Sequence, residues 1–120
     1  MRVFVTDNHG TILYSVAEEQ FGRITLADGE TAHWTDEFDT ARPEVYYDFG
    51  TGKFEPLKRM QLEVIGNKIR GVPHEASIRV DEYVVTIYDG EVALYGTPGA
   101  KRQVVVRCRH YHPEVVEVTL

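Results

Sequence analysis

Several features that mark specialised classes of protein are missing from this sequence of 120 residues. Cys108 is the single cysteine, which excludes an internal disulfide framework and a multi-cysteine zinc or iron–sulfur site. No apolar run approaches the roughly 20 residues of a membrane-spanning helix, and residues 1–10 contain no hydrophobic core of an export signal. Acidic residues outnumber basic ones by 19 to 13, and the net charge of −6 disfavours nucleic-acid binding. We therefore expect a cytoplasmic chain with neither a membrane nor a nucleic acid as partner.

The remaining composition is that of a globular protein, with 42% hydrophobic and 27% charged residues. The charge is divided unevenly: residues 1–57 contain four basic and eleven acidic side chains, and residues 58–120 contain nine and eight. Pro56 is a plausible joint, because proline cannot donate a ladder hydrogen bond. We predict acidic β hairpins in residues 1–57 and half of a β-sandwich in residues 58–120, either as two domains or as one.

Apolar and polar residues alternate in several segments, as expected for strands that bury one face. The clearest examples are residues 60–64, 76–80, 104–108 and 116–120. Only residues 13–20 tolerate a helical turn. The sequence therefore predicts an all-β fold of about eight to ten strands, arranged as an antiparallel β-sandwich or a partly closed barrel.

Glycine-containing turns separate these segments. Asp28-Gly29 and Asp89-Gly90 predict hairpin turns, because glycine adopts the positive φ that such turns require. Gly66-Asn67 and residues 50–52 are further hairpin candidates. The polar segment 30–44 is predicted to be a long loop.

Cys108, His110 and His112 form the sharpest cluster of chemically reactive side chains. On an extended strand they share one face, where thiolate and imidazole groups could bind zinc with His74 as a fourth ligand. Alternatively, Cys108 continues the apolar face of the strand as a small hydrophobic residue, and the two histidines mark its exit to solvent. We favour the second interpretation, so we expect no bound metal and no cofactor.

An acidic and aromatic stretch in the middle of the chain is the candidate contact surface. Large rings beside carboxylates suit a protein interface, because aromatic side chains supply contact area at low entropic cost. The same rings could stack on sugars or fill the core. The residues predicted to contact a partner are Trp34, Asp36, Glu37, Phe38, Asp39, Tyr46 and Phe54.

Motifs of nucleophilic and phosphate chemistry are missing. The sequence has no Gly-x-Ser-x-Gly elbow, and no glycine-rich loop precedes a helix. We therefore predict that the chain is not an enzyme.

Residues 72–118 resemble the small PEGA-type sandwich unit. In that pattern a Pro-small-small-x-Val-x-Val-Asp strand is followed by Pro-Gly, a Val-x-Val strand, an aromatic residue and a closing Val-x-Val strand. The matching positions are Pro73, Ala76, Ile78, Val80, Asp81, Pro98, Gly99, Val104, Val106, Tyr111, Val116 and Val118. Glu82 stands where the family usually has glycine, and the family's second Gly-x-Thr-Pro is missing.

Residues 45–57, VYYDFGTGKFEPL, resemble the tyrosine-rich hairpin of small tail-associated proteins of tailed phages and prophages. The resemblance implies a non-enzymatic structural protein of the virion or tail, made in the cytoplasm and then incorporated into the particle. The expected partners are proteins, among them further copies of this chain in a homo-oligomer. Two alternatives remain: a carbohydrate- or cell-surface-binding β-sandwich, and a small metal-binding protein.

Overall fold

A computed structural model describes all 120 residues. The chain forms two compact units, Met1–Leu57 and Lys58–Leu120. The boundary falls where the acidic part of the sequence ends. Together the units contain twelve strands in four antiparallel sheets.

The first unit contains five strands and one short helix. Its elements are β1 (Arg2–Thr6), β2 (Ile12–Ala17), a 3₁₀ helix (Glu18–Arg23), β3 (Thr31–Thr35), β4 (Val45–Asp48) and β5 (Lys53–Pro56). Strand β1 is central in a sheet of order β2-β1-β3, and β4 and β5 pair as a hairpin. The predicted loop at residues 30–44 is thus wrong in part, because β3 occupies its beginning. Pairing with β1 stabilises this polar strand, and local propensity does not reveal such a long-range pairing.

The core of the first unit is built around β1. Val3, Phe4 and Val5 are fully buried, and β1 is the central strand of its sheet. The Phe4 ring meets the edges of Phe38 and Phe54, with centroid distances of 5.7 and 5.9 Å. Edge-to-face contacts of this kind stabilise the fold by more than the burial of the rings' apolar area alone.

The second unit contains seven strands. They are β6 (Glu63–Ile65), β7 (Lys68–Arg70), β8 (Ala76–Val80), β9 (Tyr83–Ile87), β10 (Glu91–Ala93), β11 (Lys101–Arg107) and β12 (Glu114–Thr119). A four-stranded sheet has the order β12-β11-β8-β9, and a three-stranded sheet has the order β10-β7-β6.

Both sheets contribute to one hydrophobic core in the second unit. Ile69 comes from β7, whereas Ile78, Val104 and Val118 come from the larger sheet, and all four are almost completely buried. The alternation in β8 and β11 places every second residue in this core. The arrangement is sandwich-like within this unit.

Two of the four predicted hairpin turns connect paired strands. Gly66-Asn67 joins β6 to β7, and residues 49–52 join β4 to β5. The other two predictions are wrong: Asp28-Gly29 and Asp89-Gly90 are turns, but β3 pairs with β1, and β10 pairs with β7. A turn motif fixes local direction and does not determine which strand becomes the neighbour.

The all-β prediction is confirmed. Of the two predicted arrangements the sandwich-like one is consistent with the structure, since none of the four sheets is closed into a barrel. Twelve strands replace the expected eight to ten, since β6, β7 and β10 have only three residues each and are too short to show alternation. Met60 is buried in the core, yet it precedes β6, so the strand predicted over residues 60–64 is shorter and begins later.

Candidate protein-binding edge

Trp34 lies on β3 at an edge of the first unit's sheet, and 48% of it is exposed. One side of the indole meets the edge of Phe21 in the 3₁₀ helix, with a centroid distance of 4.9 Å. The rest of the ring is open to solvent. Trp34 therefore keeps the exposure that a contact role requires.

The other predicted aromatic contacts do not form an exposed patch. Tyr46 is only 7% exposed, so its predicted contact role is wrong. Phe38 and Phe54 are half-buried and meet edge to face at 5.3 Å beside Phe4. Tyr47 is opposite Phe54 in the β4–β5 hairpin and packs against it at 5.1 Å, so Tyr47 and Phe54 share one face of the hairpin and Tyr46 lies on the other.

The predicted acidic residues remain at the surface. Asp36, Glu37 and Asp39 are all exposed. Asp36 Oδ1 lies 3.1 Å from the amino group of Met1 and raises the pKa of that amine through a hydrogen bond and charge attraction. The carboxylate of Asp36 is therefore held by the amino group of Met1, whereas Glu37 and Asp39 are exposed to solvent.

The proposed cysteine–histidine cluster does not converge on a metal-binding position. Strand β11 ends at Arg107, and the chain turns at once: the N–H of Tyr111 donates to the carbonyl of Cys108. His110 has a φ of 69°, which breaks the alternation that would align Cys108, His110 and His112. No group of three or more potential ligands in the chain could hold a metal ion.

Cys108 is itself poorly suited to metal binding. Its Sγ donates to the carbonyl of His74 at a distance of 3.5 Å. Burial raises the pKa of the Cys108 thiol, so the thiolate that binds zinc is disfavoured at neutral pH.

Strand β9 exposes three consecutive large hydrophobic residues, and the sequence analysis did not select it. Tyr83, Val84 and Val85 are 72%, 63% and 52% exposed. Strand β9 is the outermost strand of its sheet and has β8 as its only neighbour. We call the unpaired side of Tyr83–Ile87 the β9 edge.

The main chain of the β9 edge has hydrogen-bonding groups available. The carbonyl of Ile87 points towards β8, because it accepts from the N–H of Glu75, at 2.9 Å, immediately before that strand. Main-chain groups alternate in direction along an antiparallel strand. The N–H and carbonyl groups of Val84 and Thr86 therefore point away from β8, where another strand could pair with them.

A largely apolar cleft of about 320 Å³ adjoins the β9 edge, and its lining also includes the charged residues Asp81 and Arg102. Tyr83 and Val85 project into it from β9, on the face of the sheet that also carries Ile78 and Val80. The opposite wall contains Val92 and Leu94, together with Tyr95 and Leu120. We call this space the β9 cleft. It lies on the core-facing side of β9, and Val92 of β10 in the smaller sheet belongs to its lining.

Carboxylates flank the β9 edge at both ends. Asp81 and Glu82 form the two-residue turn before β9, and Asp89 follows it. None of these three carboxylates forms an ion pair, although Glu91 is paired with Arg70 at 3.5 Å. Arg79, the cation on β8, donates to the main-chain carbonyl of Asp81 at 3.2 Å. Both ends of the β9 edge are therefore acidic.

Comparisons with protein families, curated proteins and solved structures found no match. No helix in the chain is long and apolar enough to cross a membrane.

The sequence did contain a signal for β9. Residues 83–87, YVVTI, are uncharged and without apolar–polar alternation, and acidic turns lie on both sides. A run of this type indicates a strand buried on both faces or one that another chain will cover. Its position at a sheet edge could be learned only from the strand order.

Proposed function

We propose that this chain is a non-enzymatic interaction module that binds another protein by strand addition at the β9 edge. In this mode an extended partner segment pairs with an exposed sheet edge, and pockets beside the edge select alternate side chains. The exposure of Tyr83, Val84 and Val85 on an unpaired edge strand carries the proposal. Natural proteins generally protect apolar edges because these promote association. A partner that covers β9 accounts for this unprotected one.

The proposed biological setting is the assembly of a phage particle or tail. The resemblance of residues 45–57 to the hairpin of phage tail-associated proteins supports this setting, as does the PEGA-like pattern in residues 72–118. In this role the chain is made in the cytoplasm and is then incorporated into the virion. It acts by contact, so the proposal assigns no catalytic residue and no cofactor.

Binding through one added strand is expected to be weak for each molecule. A single strand buries less area than the roughly 1,200–2,000 Å² of a stable interface. We therefore expect dissociation constants in the micromolar range, which correspond to a binding free energy on the order of −8 kcal/mol. Repeated copies in a particle strengthen such contacts through multivalency.

Photo-cross-linking in the cells that naturally make the protein tests this proposal. A photoreactive phenylalanine derivative replaces Val84 at the β9 edge or, as a control, Val115 on the opposite edge strand β12. We expect an adduct of defined mass from position 84 and none from position 115. In the phage setting, the adduct is also present in purified particles. Equal labelling from both positions contradicts a specific role of β9.

Two matched proline variants test whether the partner pairs with the main chain of β9. Thr86→Pro removes an N–H that points away from β8, so it blocks strand addition without breaking the existing ladder. Thr119→Pro makes the same change on β12, where the N–H of Leu120 faces Ala100 and alternation directs that of Thr119 outwards. Circular dichroism verifies folding. The position-84 adduct should disappear with Thr86→Pro and persist with Thr119→Pro, and its persistence with Thr86→Pro contradicts strand addition.

Carbohydrate binding is a second candidate function, supported by the half-exposed ring of Trp34 beside Phe21. Stacking of a sugar on this indole would change its fluorescence. Titration with a broad glycan panel tests it, and Trp34→Phe serves as the control for signals that arise elsewhere. An unchanged fluorescence across the panel eliminates this candidate.

A further inference from the structure

We infer that the segment received by the β9 edge belongs to a different protein and carries apolar residues at alternate positions between basic ends. This inference rests on the proposed strand addition and specifies its partner. The occupant is an extended stretch of about seven residues, long enough to lie beside Glu82 through Tyr88. Lysine or arginine is expected at its first and last positions.

The unpaired carboxylates determine the charge of the partner's ends. Asp81 and Glu82 lie at one end of β9, and Asp89 lies at the other. Opposite charges on facing strands are favourable, and like charges are unfavourable. Because both ends are acidic, a segment with two basic ends fits in either chain direction.

The same charges disfavour a second copy of this chain. Antiparallel pairing of β9 with itself over its whole length places Val85 opposite Val85. In that register, Asp81 of each copy lies opposite Asp89 of the other, so both ends of the interface repel. Each copy also carries a net charge of −6, which adds to the repulsion. A self-paired dimer is therefore the less favourable occupant.

The β9 cleft determines which face of the partner is apolar. Residues opposite Tyr83, Val85 and Ile87 project on the side of the sheet that contains the cleft. Residues opposite Val84 and Thr86 project on the outer side, where Ser77 and Arg79 of β8 also lie. The partner segment therefore alternates apolar residues, facing the cleft, with polar ones.

Two synthetic peptides test this partner chemistry. The probe, Lys-Val-Thr-Val-Thr-Val-Lys, places valines towards the cleft and lysines at the acidic ends. The control, Glu-Val-Thr-Val-Thr-Val-Glu, differs only in the charge of its ends. Both carry a fluorescent label, and binding to the full chain is followed by fluorescence anisotropy at low and high salt.

The Lys-flanked peptide should bind about tenfold more tightly than the Glu-flanked one at low salt, since each end changes from attraction to repulsion. High salt should reduce this difference to less than about threefold. The triple variant Asp81→Asn, Glu82→Gln, Asp89→Asn, which neutralises all three carboxylates, should remove most of the preference. Thr86→Pro should abolish binding of both peptides, whereas Thr119→Pro should leave it unchanged.

Three other outcomes overturn the inference in different ways. Equal, salt-independent binding of the two peptides retains strand addition but contradicts the basic partner. Failure of both peptides to bind, together with a dimer in light scattering that Thr86→Pro dissociates, identifies a second copy as the occupant. Failure of both peptides to bind by a chain that stays monomeric contradicts the basic, alternating partner segment, and absence of the position-84 adduct as well contradicts the proposed function.

Discussion

Gly10 and Tyr47 approach each other so closely that position 10 has no space for a side chain. The N–H of Tyr47 donates to the carbonyl of Gly10 at 2.8 Å, and a Cβ on Gly10 would lie 1.8 Å from the carbonyl oxygen of Tyr47. Gly10 also has a φ of 88°. This contact joins the turn between β1 and β2 to the β4–β5 hairpin within the first unit.

Gly10→Ala should destabilise the first unit by about 3–4 kcal/mol, because it combines backbone strain with a clash against main-chain atoms. Urea unfolding followed by fluorescence of Trp34, the single tryptophan, measures this loss. Gly29→Ala is the matched control. Gly29 has a φ of 82° but open space around it, so its loss should be about 1 kcal/mol. Equal losses would contradict the role assigned to the Tyr47 contact.

The environment of His33 predicts a pH dependence of stability. Its Nε2 lies 2.9 Å from the hydroxyl of buried Thr6 and shares a hydrogen bond with it, and its ring packs 3.9 Å from that of Tyr47. Burial lowers the pKa of His33 below its ordinary value of 6.5. The unfolded chain therefore binds this proton more readily, and folding stability falls as the pH drops below about 6.5.

Unfolding free energies measured between pH 5 and pH 8 test this contribution. His33→Gln keeps a polar side chain but removes the titrating group, so its stability should fall less on acidification. The carboxylates and the other four histidines are common to both proteins and cancel in the difference. Parallel pH profiles would show that His33 makes no such contribution.

Trp34→Ala should leave the first unit folded, because about half of the residue is already exposed. We expect a loss of about 1 kcal/mol, from the contact with Phe21 and partial burial. Phe4→Ala is the comparison: Phe4 is fully buried, and truncation should cost about 3–5 kcal/mol. Circular dichroism during urea unfolding measures both changes. Unfolding of the Trp34 variant would exclude this side chain as a contact residue.

Zinc should not bind stoichiometrically to the chain. The turn after Arg107 separates the potential ligands, and burial keeps the Cys108 thiol protonated. Elemental analysis of protein purified without chelator should therefore find much less than one metal atom per chain. An equimolar amount of zinc should also leave the melting temperature unchanged. Full occupancy that Cys108→Ser abolishes would restore the metal-binding alternative.

Local sequence patterns predicted where strands form better than they predicted which side chains are buried. The alternation in residues 76–80 corresponds to β8, since each side chain there faces either the core or the outer side. The aromatic residues were less predictable, because Tyr46 and Trp34 both lie on short strands of four or five residues yet differ greatly in exposure. Their burial depends on which elements cover them, and sequence spacing does not encode this.

The sequence by itself determined the all-β class, because a period of two between glycine turns is incompatible with helices. It also determined the local hairpin at Gly66-Asn67, where two residues suffice to reverse the chain. Only the tertiary structure decided that β1 is central and β9 peripheral. Strand order depends on long-range hydrogen bonds and shared cores, so the apolar run at residues 83–87 became an exposed edge through the placement of its neighbours.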